Sequence, residues 1–179
     1  MRRALHIAAV AAVLALLGLL VWDVAHGSGN SVAQNVDKGR IVRAPRLSLP
    51  RIDASGSLSL ASLRGKVVVV NFWESYCVPC KQEARTLAAV ERSWRDKGVV
   101  FVGVDAFDLV GAARSYLHRY GVGYANVHDG VGSTFGRWGV TGVPETFFVD
   151  RRGRVVPPHI TGPATRETLD EGIRRARAL

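Results

Sequence analysis

The sequence predicts an α/β fold, a central mixed β-sheet flanked by helices, behind an N-terminal transmembrane helix. Three observations carry that expectation. Continuous apolar runs alternate with segments of helical spacing over most of the chain, the pattern of a sheet covered on both faces. The last two runs flank Asp150-Arg151-Arg152-Gly153, a turn that makes them an antiparallel hairpin. The chain begins with one long apolar run behind two arginines.

In chain order, Arg2 and Arg3 precede a stretch from Ala4 to Val24 that is apolar apart from His6 and Asp23, about long enough to cross a bilayer as a helix. Basic residues before the span place the N-terminus in the cytoplasm and the remainder outside. Residues 1–24 therefore read as a membrane anchor. A cleaved signal peptide is the alternative, because Ala25 and Gly27 are small residues near a possible cut. Both readings export the rest of the chain. Residues 25–43 shift to Gly, Ser, Asn and Gln without periodicity and read as a flexible tether. One domain then occupies residues 44–179. Within it, 67–73 is a strand buried on both faces, 78–97 a helix closed by Gly98, and 99–104 a second buried strand. Residues 110–120 form a helix closed by Gly121, and 125–128 a shorter strand. Residues 146–149 and 154–156 make the hairpin, and 165–178 the closing helix.

The formal charge of +9 invites a nucleic-acid reading, but the basic residues are spread along the chain with acids between them and no aromatic-basic stripe. A weak attraction to anionic lipid headgroups is the milder consequence. Two cysteines, Cys77 and Cys80, sit too close in sequence to staple distant parts of a fold. They fall where a buried strand hands over to a helix, which puts the first sulfur at a helix N-terminus. Unpaired N–H groups and the helix dipole favour a thiolate there, the attacking species in disulfide exchange. Cys77 is the expected nucleophile, and Cys80, one turn further in, the resolving thiol. Pro79 costs nothing in a first helical turn, whose N–H groups have no carbonyl partner to lose. A zinc site would need two more ligands, and His118, His128 and His159 stand singly. No metal and no cofactor are expected.

Two segments carry a family resemblance. Phe72-Trp73-Glu74-Ser75-Tyr76-Cys77-Val78-Pro79-Cys80 resembles the active-site segment of thioredoxin-like proteins, and Gly142-Val143-Pro144-Glu145-Thr146-Phe147-Phe148-Val149-Asp150 resembles their cis-proline strand. With the N-terminal anchor, the arrangement is similar to the TlpA/ResA/CcmG (DsbE) group, which serves cytochrome c maturation and related reduction outside the cytoplasm. The resemblance implies a thioredoxin fold over residues 44–179. It implies a cis bond before Pro144, with the Val143 carbonyl and N–H free to pair with a substrate backbone. Asn71 stands where thioredoxins carry a buried acid, so another carboxylate must serve Cys80: Asp108 is the nearest match and Asp105 the second, each equally suited to capping or a loop role. Glu83 fits the group's C-x-x-E pattern on the first turns of the helix, with a surface role weighing more. Glu145 either orients a cationic substrate or is a solvated strand-edge charge. Trp73 and Tyr76 are aromatic candidates for substrate contact, although packing weighs more for Trp73, as for Trp138. Tyr76 replaces the usual tryptophan, and Arg85 stands where related helices often carry a proline.

The implied activity is that of an enzyme, a thiol-disulfide oxidoreductase reducing disulfides in exported proteins such as apocytochrome c. It would be recycled by a membrane thiol reductant, with its catalytic domain on the extracytoplasmic side of the cell membrane. The alternatives are a general disulfide oxidant and a non-catalytic thioredoxin-fold binding module for apoprotein assembly. A peroxidase would need a peroxidatic cysteine in a threonine-containing loop, which Val78-Pro79-Cys80 does not supply.

Overall fold

The computed structural model describes the backbone of residues 2–26 and 31–179, and their side chains except at 2–5, 7–10 and 23–26. The chain divides into two units, residues 1–31 and 32–179. The first holds α1 (Arg2–His26). Among the described residues no helix is long and apolar enough to cross a membrane. Side chains at both ends of the expected span, and residues 27–30 of the expected tether, lie outside the described set.

The second unit is built on a six-stranded sheet with a separate strand pair beside it. β1 (Val42–Arg43) leads; β2 (Ser48–Pro50) and β3 (Ser57–Ser59) form the separate antiparallel pair; then come β4 (Val67–Trp73), β5 (Val99–Ala106), β6 (Ala125–Asp129), β7 (Glu145–Val149) and β8 (Arg154–Thr161). The main sheet runs in the order β1-β8-β7-β4-β5-β6. β4, β5 and β6 are parallel, while β7, β8 and β1 are antiparallel to their neighbours, which is the mixed sheet the sequence predicts. Every residue of the central β4 is buried, as its unbroken Val-rich run requires of a strand covered on both faces.

Val67, Val69, Phe101 and Phe148 line one face with Leu169 and Ile173, while Val68, Val70, Phe72, Phe147 and Trp138 line the other. Phe72, Trp138 and Phe147 meet edge to face with ring centroids 5.2–5.8 Å apart. At Gly103 a Cβ would collide with Asn126 Oδ1 and Trp73 Nε1, so only glycine leaves room for the bond between those two side chains. The helix that follows β4 stops at Trp94, short of the expected 97, and a 3-10 turn over Arg95–Lys97 carries the chain to Gly98, whose φ of 75° is a left-handed cap.

Two expectations are corrected here. The tether reading fails from residue 32 onward. α2 (Val32–Asp37) buries Val32, Ala33 and Val36, one face of a helical turn too short to show as a period, and β1 then pairs with β8. β8 also outruns the expected 154–156, despite Pro157 and Pro158. β1 pairs only with Arg154 and Val155, so further along β8 the outer edge carries no ladder bond for a proline to lose.

Candidate functional site

α3 (Val78–Trp94) begins where β4 ends, and Cys77 is its N-cap. Cys77 and Cys80 are joined as a disulfide with a Cα–Cα distance of 5.3 Å. Cys77 Sγ also accepts from the Cys80 N–H at 3.1 Å, so the sulfur lies among the unpaired amides of the first turn. Cys77 keeps 9% of its surface exposed and Cys80 none. An incoming sulfur can therefore reach only Cys77, which gives the two thiols different roles.

Opposite them the Val143–Pro144 bond is cis. The Val143 carbonyl lies 3.6 Å from Cys77 Sγ, a van der Waals contact because a disulfide sulfur has no proton to donate. The Val143 N–H has no hydrogen-bond partner among the described residues, and Pro144 O accepts from Gly162 N at 2.9 Å, which ties the loop to the end of β8. An edge of backbone thus faces the reactive sulfur.

The carboxylates fall differently from their sequence reading. Glu83, expected at the surface, is 2% exposed. It lies one turn beyond Cys80 on α3 and accepts from Asn71 Nδ2 at 2.8 Å and from the Ala164 N–H at 2.6 Å. Asn71 and Glu83 together occupy the place of the missing strand acid. Burial pushes Glu83 up to about 7, against the two hydrogen bonds that favour its charged form. Asp108 does not face Cys80 as a free base. It accepts from the Ser75 N–H at 2.6 Å and from Ser75 Oγ at 2.8 Å, pinning the turn that leads into Cys77. Asp105 is fully buried, with Oδ2 2.7 Å from His128 Nδ1. Burial and the neighbouring Asp108 and Glu74 raise the Asp105 carboxyl to about 9.

Glu145 is corrected outright: it is 3% exposed and offers nothing to a substrate cation. One oxygen accepts from Thr141 N, Thr141 Oγ1 and Gly142 N at 2.9–3.1 Å, and the other lies 2.9 Å from His159 Nε2. Trp73 packs, the reading given more weight from the sequence, and its candidacy for substrate contact falls. It is buried, stacked on Tyr116 with centroids 4.3 Å apart, and donates to Asn126 Oδ1 at 3.0 Å. Tyr76 is 59% exposed beside the disulfide, a surface available to a partner chain. Glu74 next to it pushes its phenol up to about 12.

Sequence reasoning missed Tyr116, whose hydroxyl donates to the Cys80 carbonyl at 2.7 Å, and the carboxylate partners of His128 and His159. For His128 a signal existed: once β5 and β6 are set parallel, Asp105 and His128 are direct register partners.

Residues 42–157 match the AhpC/TSA family. The chain belongs to this family. It is 33% identical over 168 residues to the thiol:disulfide interchange protein HelX of Rhodobacter capsulatus, covering 89% of this chain and 93% of HelX. To the thiol-disulfide oxidoreductase ResA of Bacillus subtilis it is 28% identical over 156 residues, 87% of this chain and 82% of ResA. Among solved structures, a thiol:disulfide interchange protein DsbE from Chlorobium tepidum superposes with a TM-score of 0.69 at 31% identity, over 75% of this chain and 95% of that one. These relatives agree with the group that the two motifs resemble. Together with the Cys77–Cys80 disulfide they establish a thioredoxin-fold thiol-disulfide oxidoreductase.

Proposed function

We propose that this protein is a reductant of disulfides in exported polypeptides, with apocytochrome c as the leading substrate. It is held at the cell membrane by its N-terminal segment, works outside the cytoplasm, and is recycled by a membrane thiol reductant. The observation that carries the reading is the Cys77 sulfur, the more accessible of the pair, at a helix N-terminus facing the open backbone of Val143.

In the dithiol form the Cys77 thiolate attacks one sulfur of the substrate disulfide, and the other substrate sulfur leaves and takes up a proton. Cys80 gives its proton to a base, attacks Cys77 Sγ, and releases the second substrate thiol. Two electrons pass to the substrate, and the protein is left with its Cys77–Cys80 bond. Glu83, one turn beyond Cys80 and titrating near neutrality, is the base best suited to that proton. Direction comes from charge. Glu74 and Asp108, in and beside the turn before Cys77, withhold from its thiolate part of the stabilisation that a helix N-terminus gives, which makes the dithiol form less favoured than it would otherwise be and supports donation of electrons. The apolar run behind Arg2 and Arg3 and the resemblance to the TlpA/ResA/CcmG group support the location and the substrate.

Reduced protein mixed with a disulfide-bonded CXXCH peptide, the haem-attachment motif of c-type cytochromes, tests this. The peptide should become reduced. Cys80→Ser should trap it on Cys77, and Cys77→Ser should abolish the reaction. A peptide left oxidised by excess dithiol protein overturns the reductant assignment. Retention of function by Cys77→Ser overturns the enzyme in favour of a binding module. A membrane-impermeant thiol reagent that labels reduced Cys77 only after cells are broken overturns the location.

A further inference from the structure

A line of three side chains outside the cysteine pair runs from α2 to the cis-proline loop. Asp37 Oδ1 lies 3.0 Å from His159 Nδ1, and His159 Nε2 lies 2.9 Å from Glu145 Oε2. The other oxygen of Glu145 takes three donors from Thr141 and Gly142, the residues just before Val143. The imidazole is stacked on Phe147, centroids 4.3 Å apart and planes 16° apart, so its orientation is fixed. Both ring nitrogens are engaged by carboxylates, an arrangement that suits the doubly protonated cation. A buried carboxylate with four donors around it is an anchor, and the part it anchors presents backbone to the substrate.

We propose that His159 is a positioning residue for polypeptide substrates: through Glu145 it holds the Thr141–Val143 loop in register with Cys77, and through Asp37 it makes that hold depend on α2. This deepens the proposed function, resting on the reading that a polypeptide disulfide docks along Val143. No hydrogen bond joins Asp37, His159 or Glu145 to Cys77, and the brace reaches the sulfur only through the Val143 carbonyl.

The brace has a pH limit. Burial lowers the affinity of His159 for its proton, but the hydrogen bonds and charges of Glu145 and Asp37 outweigh it and raise the group above its ordinary value; these two carboxylates are the charged groups acting on it. Glu145 is correspondingly lowered: burial works against its charge, and His159 and the Thr141 donors more than compensate. Stabilisation from a raised histidine is fully present below its unfolded pKa and is lost as pH rises through the folded one. Loop positioning should therefore weaken as pH rises through a point above the ordinary histidine value.

The test is the ratio of two rates for the reduced protein: exchange with a disulfide-bonded peptide, and exchange with the small disulfide 5,5′-dithiobis(2-nitrobenzoate). Both need the Cys77 thiolate, so its titration cancels. In the wild type the ratio should fall several-fold from pH 6 to pH 9. His159→Gln, which cannot bridge two carboxylates, should lower the ratio at pH 7 about fivefold through KM and flatten the profile. Asp37 is 55% exposed, so Asp37→Asn leaves packing intact and should move the alkaline fall to lower pH. A flat wild-type ratio, equal loss of both rates in His159→Gln, or an unmoved limb in Asp37→Asn overturns the proposal. If His159→Gln does not fold, Asp37→Asn decides alone. Failure of the docking reading looks different: the wild-type peptide reaction would show no saturation at any pH.

Discussion

Glu83 carries the clearest residue-level consequence. Its carboxyl is raised from 4.5 to about 7, so the folded protein holds a proton there that the unfolded chain has already released. Stability from this group is fully present below pH 4.5 and lost as pH rises through about 7, a loss on the order of 3 kcal/mol. Urea unfolding at a series of pH values should show that decline, and Glu83→Gln should flatten it. The same variant should slow resolution of the peptide mixed disulfide on Cys77 tenfold or more, because Cys80 loses its proton acceptor. The cysteines and Pro144 were legible in the sequence because their roles follow from local spacing. The burial of Glu83 was not, since its partners Asn71 and Ala164 lie 12 and 81 positions away. Glu145 misled for the same reason: a charge beside a strand looks solvated until the loop folded over it is seen.

Loops and short elements hold the site, and they are where sequence patterns are weakest. The helices of residues 78–94, 110–120 and 166–177 were legible from period, because each presents an apolar stripe, and the second also from Gly121, its left-handed cap. α2, with six residues, has no room for a period, and β1 and the β2–β3 pair are shorter still. Their contribution is measurable. A chain beginning at Ala44 loses the buried side chains of Val32, Ala33 and Val36, and the Asp37 contact with them. It should unfold at lower denaturant and lose exchange with peptides more than exchange with a small disulfide. On the other side of the sulfurs, Asp108→Ala removes both acceptors of Ser75. It should cost about 2 kcal/mol in chemical denaturation, because the Ser75 N–H would then lose a charged partner. Equal stability of that variant and the wild type would show that the turn before Cys77 is held by its own backbone.

At the scale of the whole molecule, the mixed sheet was legible because three features agreed: buried strands, helical crossovers and a terminal hairpin. A fold of this kind serves electron flow in either direction, and the proposed reductant reading draws its support from charge placement. Three carboxyl groups, Glu74, Asp105 and Asp108, gather at the ends of β4 and β5 around the turn that leads into Cys77, and burial, with Asp108 and Glu74, raises Asp105 to about 9. A thiolate at Cys77 must coexist with the two remaining charges, whereas the disulfide carries none. Folding should therefore favour the disulfide form over the dithiol form. The measurement is a pair of guanidinium unfolding curves, one for oxidised protein and one for reduced protein. The oxidised form should be the more stable by at least about 1.4 kcal/mol, which corresponds to a potential lowered by about 30 mV relative to the unfolded chain. Replacing Glu74 with Gln should narrow that gap, since it removes one of the charges the thiolate must meet. Greater stability in the reduced form would mean that the helix N-terminus outweighs the carboxylates, and the protein would then take electrons from its substrates rather than give them.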